Sequence, residues 1–401
     1  MVSAARAWLS AAEASRRLGV KRPTLYAYVS RGLIRSAPKG GATRERMYAR
    51  DDVERVRRKT AERRDPGAVA SHALDHGTPV LDSAITLIAD GRVYYRGHDA
   101  VELSRTRTVA EVASLIWGGR FDAPASGPPP TPKSTIAPTE LPFIPRAQVL
   151  LATAATGDPL AFDLRAEAVA STGGRILALM TRAATLSRTA GATIDAKLAA
   201  AWSVRAGGAD VLRAAIILCA DHELNVSAFT ARCIASAGAS PYAAVIGGLS
   251  ALEGIRHGGL SARVEAMLES MRHERSGAAA VAERLRQGAE IYGFGHPLYP
   301  NGDPRAMELF TLLRARYPRS PELKFALGVV DAASSLLGEH PTIDVALATV
   351  SRVLELPPRS GLTLFAIGRT IGWIGHAIEQ YAGGALIRPR ARYTGEVPAG
   401  R

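Results

Sequence analysis

Two imidazoles and one carboxylate stand out, each set among glycines or prolines. They are His257 in Arg256-His257-Gly258-Gly259, His296 in Gly293-Phe294-Gly295-His296-Pro297, and Asp344 in Pro341-Thr342-Ile343-Asp344. Together they supply a base, an acid and an electrophile, the set needed to move a proton off a carbon beside a carbonyl while the carbonyl oxygen is stabilised. The glycines after His257 permit close approach of a ligand to the backbone. A helix beginning near Ser261 would favour a neutral imidazole at its N-terminus. His296 lies on a glycine-rich loop whose amides can face a ligand. Asp344, followed by Val345-Ala346-Leu347, is expected to have a raised pKa and to be a better base for it. Each residue also has a plain structural reading: a turn histidine, a loop histidine beside a helix start at Asp303, and an N-cap aspartate.

A second set of residues suits an anion. Arg305 follows Asp303-Pro304 at a helix start, where a guanidinium can take a carboxylate bidentately. Arg369 lies between Gly368 and Gly372 in an apolar helical run, and a cation there is costly to bury without an anion. His222 sits in Asp221-His222-Glu223-Leu224-Asn225, and Arg388 in Ile387-Arg388-Pro389. Three arginines with extra histidines imply a small polycarboxylate. The only cysteines, Cys219 and Cys233, have neither metal-ligand spacing nor a disulfide framework, which fits a reducing compartment and predicts no metal.

The elements that must position these groups fall into a small basic head and a larger body. Residues 1–65 hold 17 Lys+Arg against 7 Asp+Glu, a net of +10, which leaves +3 of the total +13 for the remaining residues. A basic head on a near-neutral body points to an anionic polymer as the head's partner, the plainer reading being a solubilising surface. In the head, Ser10 caps a helix over Ala11–Leu18, Gly19 ends it, and the turn Gly19-Val20-Lys21 leads to a second helix over Arg22–Arg31 with Pro23 in its first turn. Leu33–Tyr48 alternates around Lys39-Gly40-Gly41, predicting a short wing, and Asp51-Asp52 start a third helix with a basic face. Residues 65–80 read as a linker, 84–98 as a β-hairpin around Asp90-Gly91, and the proline-rich stretch 123–142 as a surface loop. From 146 to 385 the period is helical throughout, so the fold class is mainly α. No apolar run approaches the length of a membrane span, and the opening Met-Val-Ser-Ala-Ala-Arg lacks a leader pattern, so a cytoplasmic location is expected.

Taken in order, Asp221-His222-Glu223-Leu224-Asn225, Arg256-His257-Gly258-Gly259, Gly293-Phe294-Gly295-His296 with Asp303-Pro304-Arg305, Asp344, Gly368-Arg369-Thr370-Ile371-Gly372-Trp373 and Arg388-Pro389 resemble citrate synthases, as does Tyr95-Arg96-Gly97-His98-Asp99. The resemblance covers about residues 75 to 396. It implies a large and a small helical domain, the small one over roughly 258–348, in a body spanning 66–401. It also implies roles. Asp344 would take the methyl proton of acetyl-CoA, neutral His257 would donate to the thioester oxygen, and the enol would attack oxaloacetate with His296 as the acid. Citrate and CoA would be released on hydrolysis, as in the tricarboxylic acid cycle. His222, Arg305 and Arg369 would hold carboxylates, and Arg388 would come from the partner chain of a homodimer. Phe294 and Gly295 would lie against CoA, which enters as the acyl substrate; no bound cofactor is implied.

This chain departs from the family pattern in places. Pro297 and Pro300 stand where the family often has a basic residue and a lysine, Leu260-Ser261-Ala262 replaces Ala-Asn-Glu, and Val345 replaces an aromatic. Those changes leave 2-methylcitrate synthesis from propionyl-CoA as an alternative. A DNA-binding regulator with a metabolite-sensing body is another. The head, residues 1–65, resembles the winged helix-turn-helix of MerR-type regulators and excisionase-like proteins, carried by Leu18-Gly19-Val20, Thr24-Leu25-Tyr26 and Gly32-Leu33-Ile34. That resemblance would place Arg22, Thr24 and Tyr28 at the major groove and Arg44 and Arg46 on phosphates or in a minor groove.

Overall fold

In the computed structural model, which describes residues 8–38, 46–54, 56, 81–122, 139–186, 192–391 and 393–396, the chain divides into two units, Met1–Asp82 and Ser83–Arg401. The expected linker at 65–80 lies outside the described residues.

The first unit runs β1 (Trp8–Ser10), α1 (Ala11–Leu18), α2 (Arg22–Ser30), β2 (Ser36–Pro38) and β3 (Arg46–Ala49), with residues 50–54 and 56 again helical. Ser10 and Glu13 form a reciprocal capping box at the start of α1, and Gly19 closes that helix at φ 64°, a conformation that favours glycine. The strands pair antiparallel in the order β1-β3-β2; β2 and β3 fall in the predicted wing, β1 joins them as an unforeseen third strand, and Arg44 lies outside the described residues. Leu9, Leu18, Leu25, Ile34, Tyr48 and Val53 make a small core of their own. Buried Asp52 accepts from the backbone and Nε of Arg35, at 2.9 and 2.8 Å, and so fastens the third helix to the chain entering β2.

The second unit begins with β4 (Thr86–Ala89), β5 (Arg92–Tyr95) and β6 (His98–Asp99). Asp90 and Gly91 turn the hairpin at φ 51° and 71°, the pair of positive values an Asp-Gly turn supplies. The regular elements named among the described residues beyond it are helices: α3 (Ala100–Thr106), α4 (Val109–Gly118), α5 (Phe143–Gly157), α6 (Ala166–Thr185), α7 (Ile194–Ala201), α8 (Gly208–Leu218), α9 (Val226–Ser236), α10 (Pro241–Leu252), α11 (Gly259–Met271), α12 (Gly277–Arg286), α13 (Pro304–Arg316), α14 (Pro321–Leu337), α15 (Ile343–Val353) and α16 (Ser360–Gly383). Most of the expected proline-rich loop lies outside the described residues.

Helix α16 is buried on nearly every side, and its apolar circumference fits that position. It packs against α4, α6, α8, α9, α10, α11 and α15. Small residues set how close the neighbours come. A Cβ at Gly368 would lie 2.4 Å from the Ile216 carbonyl oxygen, and one at Gly372 would lie 2.4 Å from the Asp221 carboxylate. The segment carrying His222 is thereby pressed against the helix carrying Arg369. Helices α11, α13 and α14 in turn pack on α15, the helix that carries Asp344. Among the described residues no helix is long and apolar enough to cross a membrane.

Candidate active site

The segment leaving α8 brings Asp221 and His222 under α16. Asp221 is fully buried, 3.2 Å from Nε2 of His376 on α16, and accepts from the Thr86 hydroxyl at 2.6 Å. Burial opposes its charge, but His376, Arg369 and the Thr86 hydrogen bond hold its pKa below the usual carboxylate value. His222 follows, with Nε2 2.6 Å from the Tyr299 hydroxyl. Burial first, then the fields of Arg305 and Arg369, hold its pKa far below the ordinary histidine value, so it is neutral. Arg369 is 1% exposed, donates through Nε to the Cys219 carbonyl at 3.0 Å, and lies 4.8 Å over the Phe365 ring. Among the described residues no carboxylate lies within ion-pair distance of it. A buried guanidinium left so is costly, and an incoming anion would relieve that cost.

His257 sits on the tight turn between α10 and α11. A Cβ at Gly259 would come 2.5 Å from the Glu253 carbonyl oxygen, so the turn depends on glycine there. The His257 ring lies edge-on to Phe365, and its Nε2 is 2.7 Å from the Ser227 hydroxyl. Burial, then Arg369, pushes its pKa down to about 3. The imidazole is therefore neutral across the physiological range, as its sequence context predicts, although burial rather than the helix terminus is the main cause.

The loop before α13 carries His296. Its Gly293 and Gly295 have φ of 86° and 76°, and it is stitched to the strand-like segment before α15 by Thr342 N–H to Gly293 O at 2.8 Å and Gly295 N–H to His340 O at 2.9 Å. Phe294 bridges Pro341 across the same pairing. Nδ1 of His296 accepts from the Leu298 amide at 3.2 Å, which leaves the proton of the neutral ring on Nε2. The His296 ring is 5.3 Å from that of His222 and 4.9 Å from that of Tyr299.

Asp303 does more than cap α13. Its carboxylate takes both edge nitrogens of Arg305, at 2.9 and 2.8 Å, and also accepts from the Ile343 amide at 3.0 Å. One residue therefore sets both the Arg305 guanidinium and the start of α15. Burial works against the Arg305 charge, yet Asp303 holds its pKa above the ordinary arginine value. Asp344, in the first turn of α15, is 8% exposed; Oδ1 accepts from the Ser261 hydroxyl and Oδ2 from that of Thr342 at 3.2 Å. Burial raises its pKa against those two hydrogen bonds and the Arg305 charge.

His222, His257, His296, Arg305, Arg369 and Asp344 thus form one electrostatic cluster from residues far apart in the chain. Arg388 does not join it within one chain: it is exposed on the irregular segment after α16. Sequence reasoning passed over Tyr299, Ser227 and Phe365, which link the histidines to one another and to Arg369, and the hydroxyl of Ser261. Only the Asn225 cap, whose side chain also accepts from Ser227, hints at the Ser227 position. Val345 is fully buried with Cγ2 2.5 Å from where a Gly293 Cβ would be, so it packs under the glycine loop. Pro297 and Pro300 are exposed, and cations next to the loop come from elsewhere: Arg263 and Arg284 lie 3.9 and 5.5 Å from the Tyr292 ring. Among the described residues no three His, Cys, Asp or Glu side chains are set to hold a metal ion.

Residues 164–390 match the family described as citrate synthase, C-terminal domain, which is more than half of the chain. The chain belongs to the citrate synthase family. Residues 8–61 match a helix-turn-helix domain. Relatives include citrate synthase 2 of Bacillus subtilis, 35% identical over 184 residues, 45% of this chain and 50% of that protein. Another is 2-methylcitrate synthase 2 of Corynebacterium glutamicum, 33% identical over 184 residues, 45% and 48% of the two chains. The chain thus spans about half the length of the curated relatives it matches. The citrate synthase structure from Thermotoga maritima superposes with a TM-score of 0.68 at 25% identity, over 81% of this chain and 96% of that one. The Thermoplasma acidophilum citrate synthase, solved with carboxymethyl coenzyme A and oxaloacetate, shares the fold at TM-score 0.68 and 22% identity, over 82% and 96%. In the head, Arg22 and Thr24 on α2 are exposed. Tyr28 instead turns into the head core, and the exposed aromatic of α2 is Tyr26, one turn after Arg22. Arg46 is exposed but bonds Ser36 at 3.0 Å across the wing.

Proposed function

We propose that the body condenses an acyl-CoA with oxaloacetate and hydrolyses the product thioester, acetyl-CoA giving citrate and free CoA. What carries this reading is Arg369, buried with no ion-paired carboxylate and sharing its field with the neutral imidazoles of His222 and His257, while Asp344, of raised pKa, shares the field of Arg305. Arg369, Arg305 and His222 hold the oxaloacetate carboxylates. Asp344 removes a proton from the carbon next to the thioester carbonyl, while His257 donates a hydrogen bond to its oxygen. The enol carbon attacks the ketone, and Nε2–H of His296 protonates the new alkoxide. Water then cleaves the citryl thioester. The protein's own side chains carry every proton, with acyl-CoA as substrate and no bound cofactor.

The role of His257 constrains its neighbour. The single Ser227 proton can go to Asn225 Oδ1, 2.8 Å away, or to His257 Nε2. Only the second arrangement leaves a proton on Nδ1 of the neutral ring for the substrate. Phe294 and Gly295 face CoA, and Arg263 and Arg284 take over phosphate contacts that Pro297 and Pro300 cannot make. Arg388 completes the site of a second copy in a homodimer. Acetyl- and propionyl-CoA differ by one methylene, worth about 1–3 kcal/mol in a fitted pocket.

The test is free-thiol release with oxaloacetate and either acyl-CoA. Turnover with acetyl-CoA preferred supports citrate synthesis; a propionyl-CoA preference assigns 2-methylcitrate synthesis. Oxaloacetate binding without turnover moves the reading to a sensor. A second activity is favoured by the exposed Arg22, Thr24 and Tyr26 on α2: the head binds DNA, and retention on duplex DNA that falls with salt would support it.

A further inference from the structure

One of the two hydroxyls on Asp344 comes from a residue that the family pattern does not supply. Ser261 is 1% exposed, in the first turn of α11, and its hydroxyl donates to Oδ1 of Asp344 on α15. The glycine turn at 258–259 starts α11 directly after His257, which places Ser261 one helical turn beyond it. The Ser227-bound imidazole and the hydroxyl on the carboxylate therefore share one rigid helix start. Oδ2 accepts from the Thr342 hydroxyl at 3.2 Å, and Ile343 beside it is tied to Asp303 at 3.0 Å.

We propose that Ser261 is a positioning residue for the base: it anchors Oδ1 of Asp344 so that Oδ2 is the oxygen that takes the proton from the acyl-CoA carbon. The proposal rests on the synthase reading above. A hydroxyl bonded to a carboxylate oxygen is a strong, directional contact. It costs the base some proton affinity and in return removes the side-chain rotation that would swing the oxygen off the reacting carbon. The charged and titratable groups that share the field of Asp344 are Arg305 and Asp303 from the start of α13 and the Cys219 thiol from the end of α8, within the cluster that also holds His222, His257, His296 and Arg369, so Ser261 and Thr342 are neutral donors among them.

Ser261→Ala removes the donor, Ser261→Cys keeps the side chain's shape with a weak donor, and Ser261→Thr keeps a hydroxyl. In the full-length protein, Ser261→Ala should lower kcat roughly tenfold with little change in oxaloacetate KM. The acid limb of kcat/KM should move up by about one pH unit, because a carboxylate that loses a donor gains proton affinity. The primary isotope effect with methyl-deuterated acyl-CoA should rise as proton removal becomes the slow step. A 13C titration of the Asp344 carboxyl, assigned by its loss in Asp344→Asn, should show the same upward shift. Cys should fall between Ala and wild type, and Thr should restore both readouts. An active wild type whose folded Ala and Cys variants keep the isotope effect, the acid limb and the Asp344 midpoint overturns the role of Ser261 alone. A wild type that releases no thiol and exchanges no hydrogen on the carbon next to the thioester carbonyl of either acyl-CoA overturns the synthase reading, and this role with it.

Discussion

Arginine serves the two units in opposite ways. In the head, Arg22 stands exposed on α2, and the 17 basic residues of positions 1–65 face only 7 acidic ones. In the body, Arg305 and Arg369 are 2% and 1% exposed and sit among rings and a fixed carboxylate. An exposed guanidinium keeps its water and acts through long-range field, which suits a polymer of phosphates and discriminates little. A buried one has lost its water before the ligand arrives, so only a group of matching charge and geometry repays that loss. The same residue type thus keeps its water in one unit and is stripped of it in the other.

The largest expected effect tests whether the pocket is catalytic at all. Asp344→Ala should cut thiol release by about a thousandfold or more while calorimetry still detects oxaloacetate, because the base acts on the other substrate. Unchanged turnover would remove Asp344 from the chemistry. Next comes the price of burying a cation without a partner. Arg369→Met should abolish measurable oxaloacetate binding yet leave thermal stability unchanged or raise it by about 1–3 kcal/mol. A clear loss of stability would show that Arg369 serves the fold instead.

Smaller effects separate the units and the subsites. Removing residues 1–82 should leave kcat within about twofold and eliminate salt-sensitive DNA retention; a folded but inactive truncation would merge the two roles. Arg263→Ala with Arg284→Ala should raise acyl-CoA KM roughly tenfold and spare kcat; an unchanged KM would place the CoA phosphates elsewhere. The smallest effect concerns pH. The His257 pKa is lowered to about 3 in the folded chain, so between that value and the ordinary histidine value the unfolded chain binds a proton that the folded one does not. Stability therefore drops as pH is lowered across that window, by up to about 1.4 kcal/mol per unit for one such group. His257→Gln should flatten the decline in Tm below pH 6, and equal slopes would contradict the buried neutral ring.

Local signals along the chain anticipated much of the fold. The Ser10–Glu13 capping box, Gly19 and the Asp90-Gly91 turn lie where their residue types demand, since each depends on neighbours a few positions away. The polar residues of the site were also legible, because a charged group in an apolar or glycine-rich setting is conspicuous. Their partners were not. Tyr28 and Tyr26 look equivalent on paper, and only packing turned one into the head core. Asp303 looked like a helix cap, and it is one; that it also fixes Arg305 and the start of α15 depends on a residue forty positions away.

Composition and spacing by themselves determined that the chain has a basic head, a helical body and a polar set able to move protons, because those properties reside in residue types and short-range periodicity. Tertiary structure alone decided that Tyr299 joins His222, His296 and Arg305, that Ser227 addresses His257, and that Ser261 grips Asp344. Such contacts arise where helices distant in sequence cross, and the separations that matter, a few tenths of an ångström in a hydrogen bond, are set by how the whole core packs.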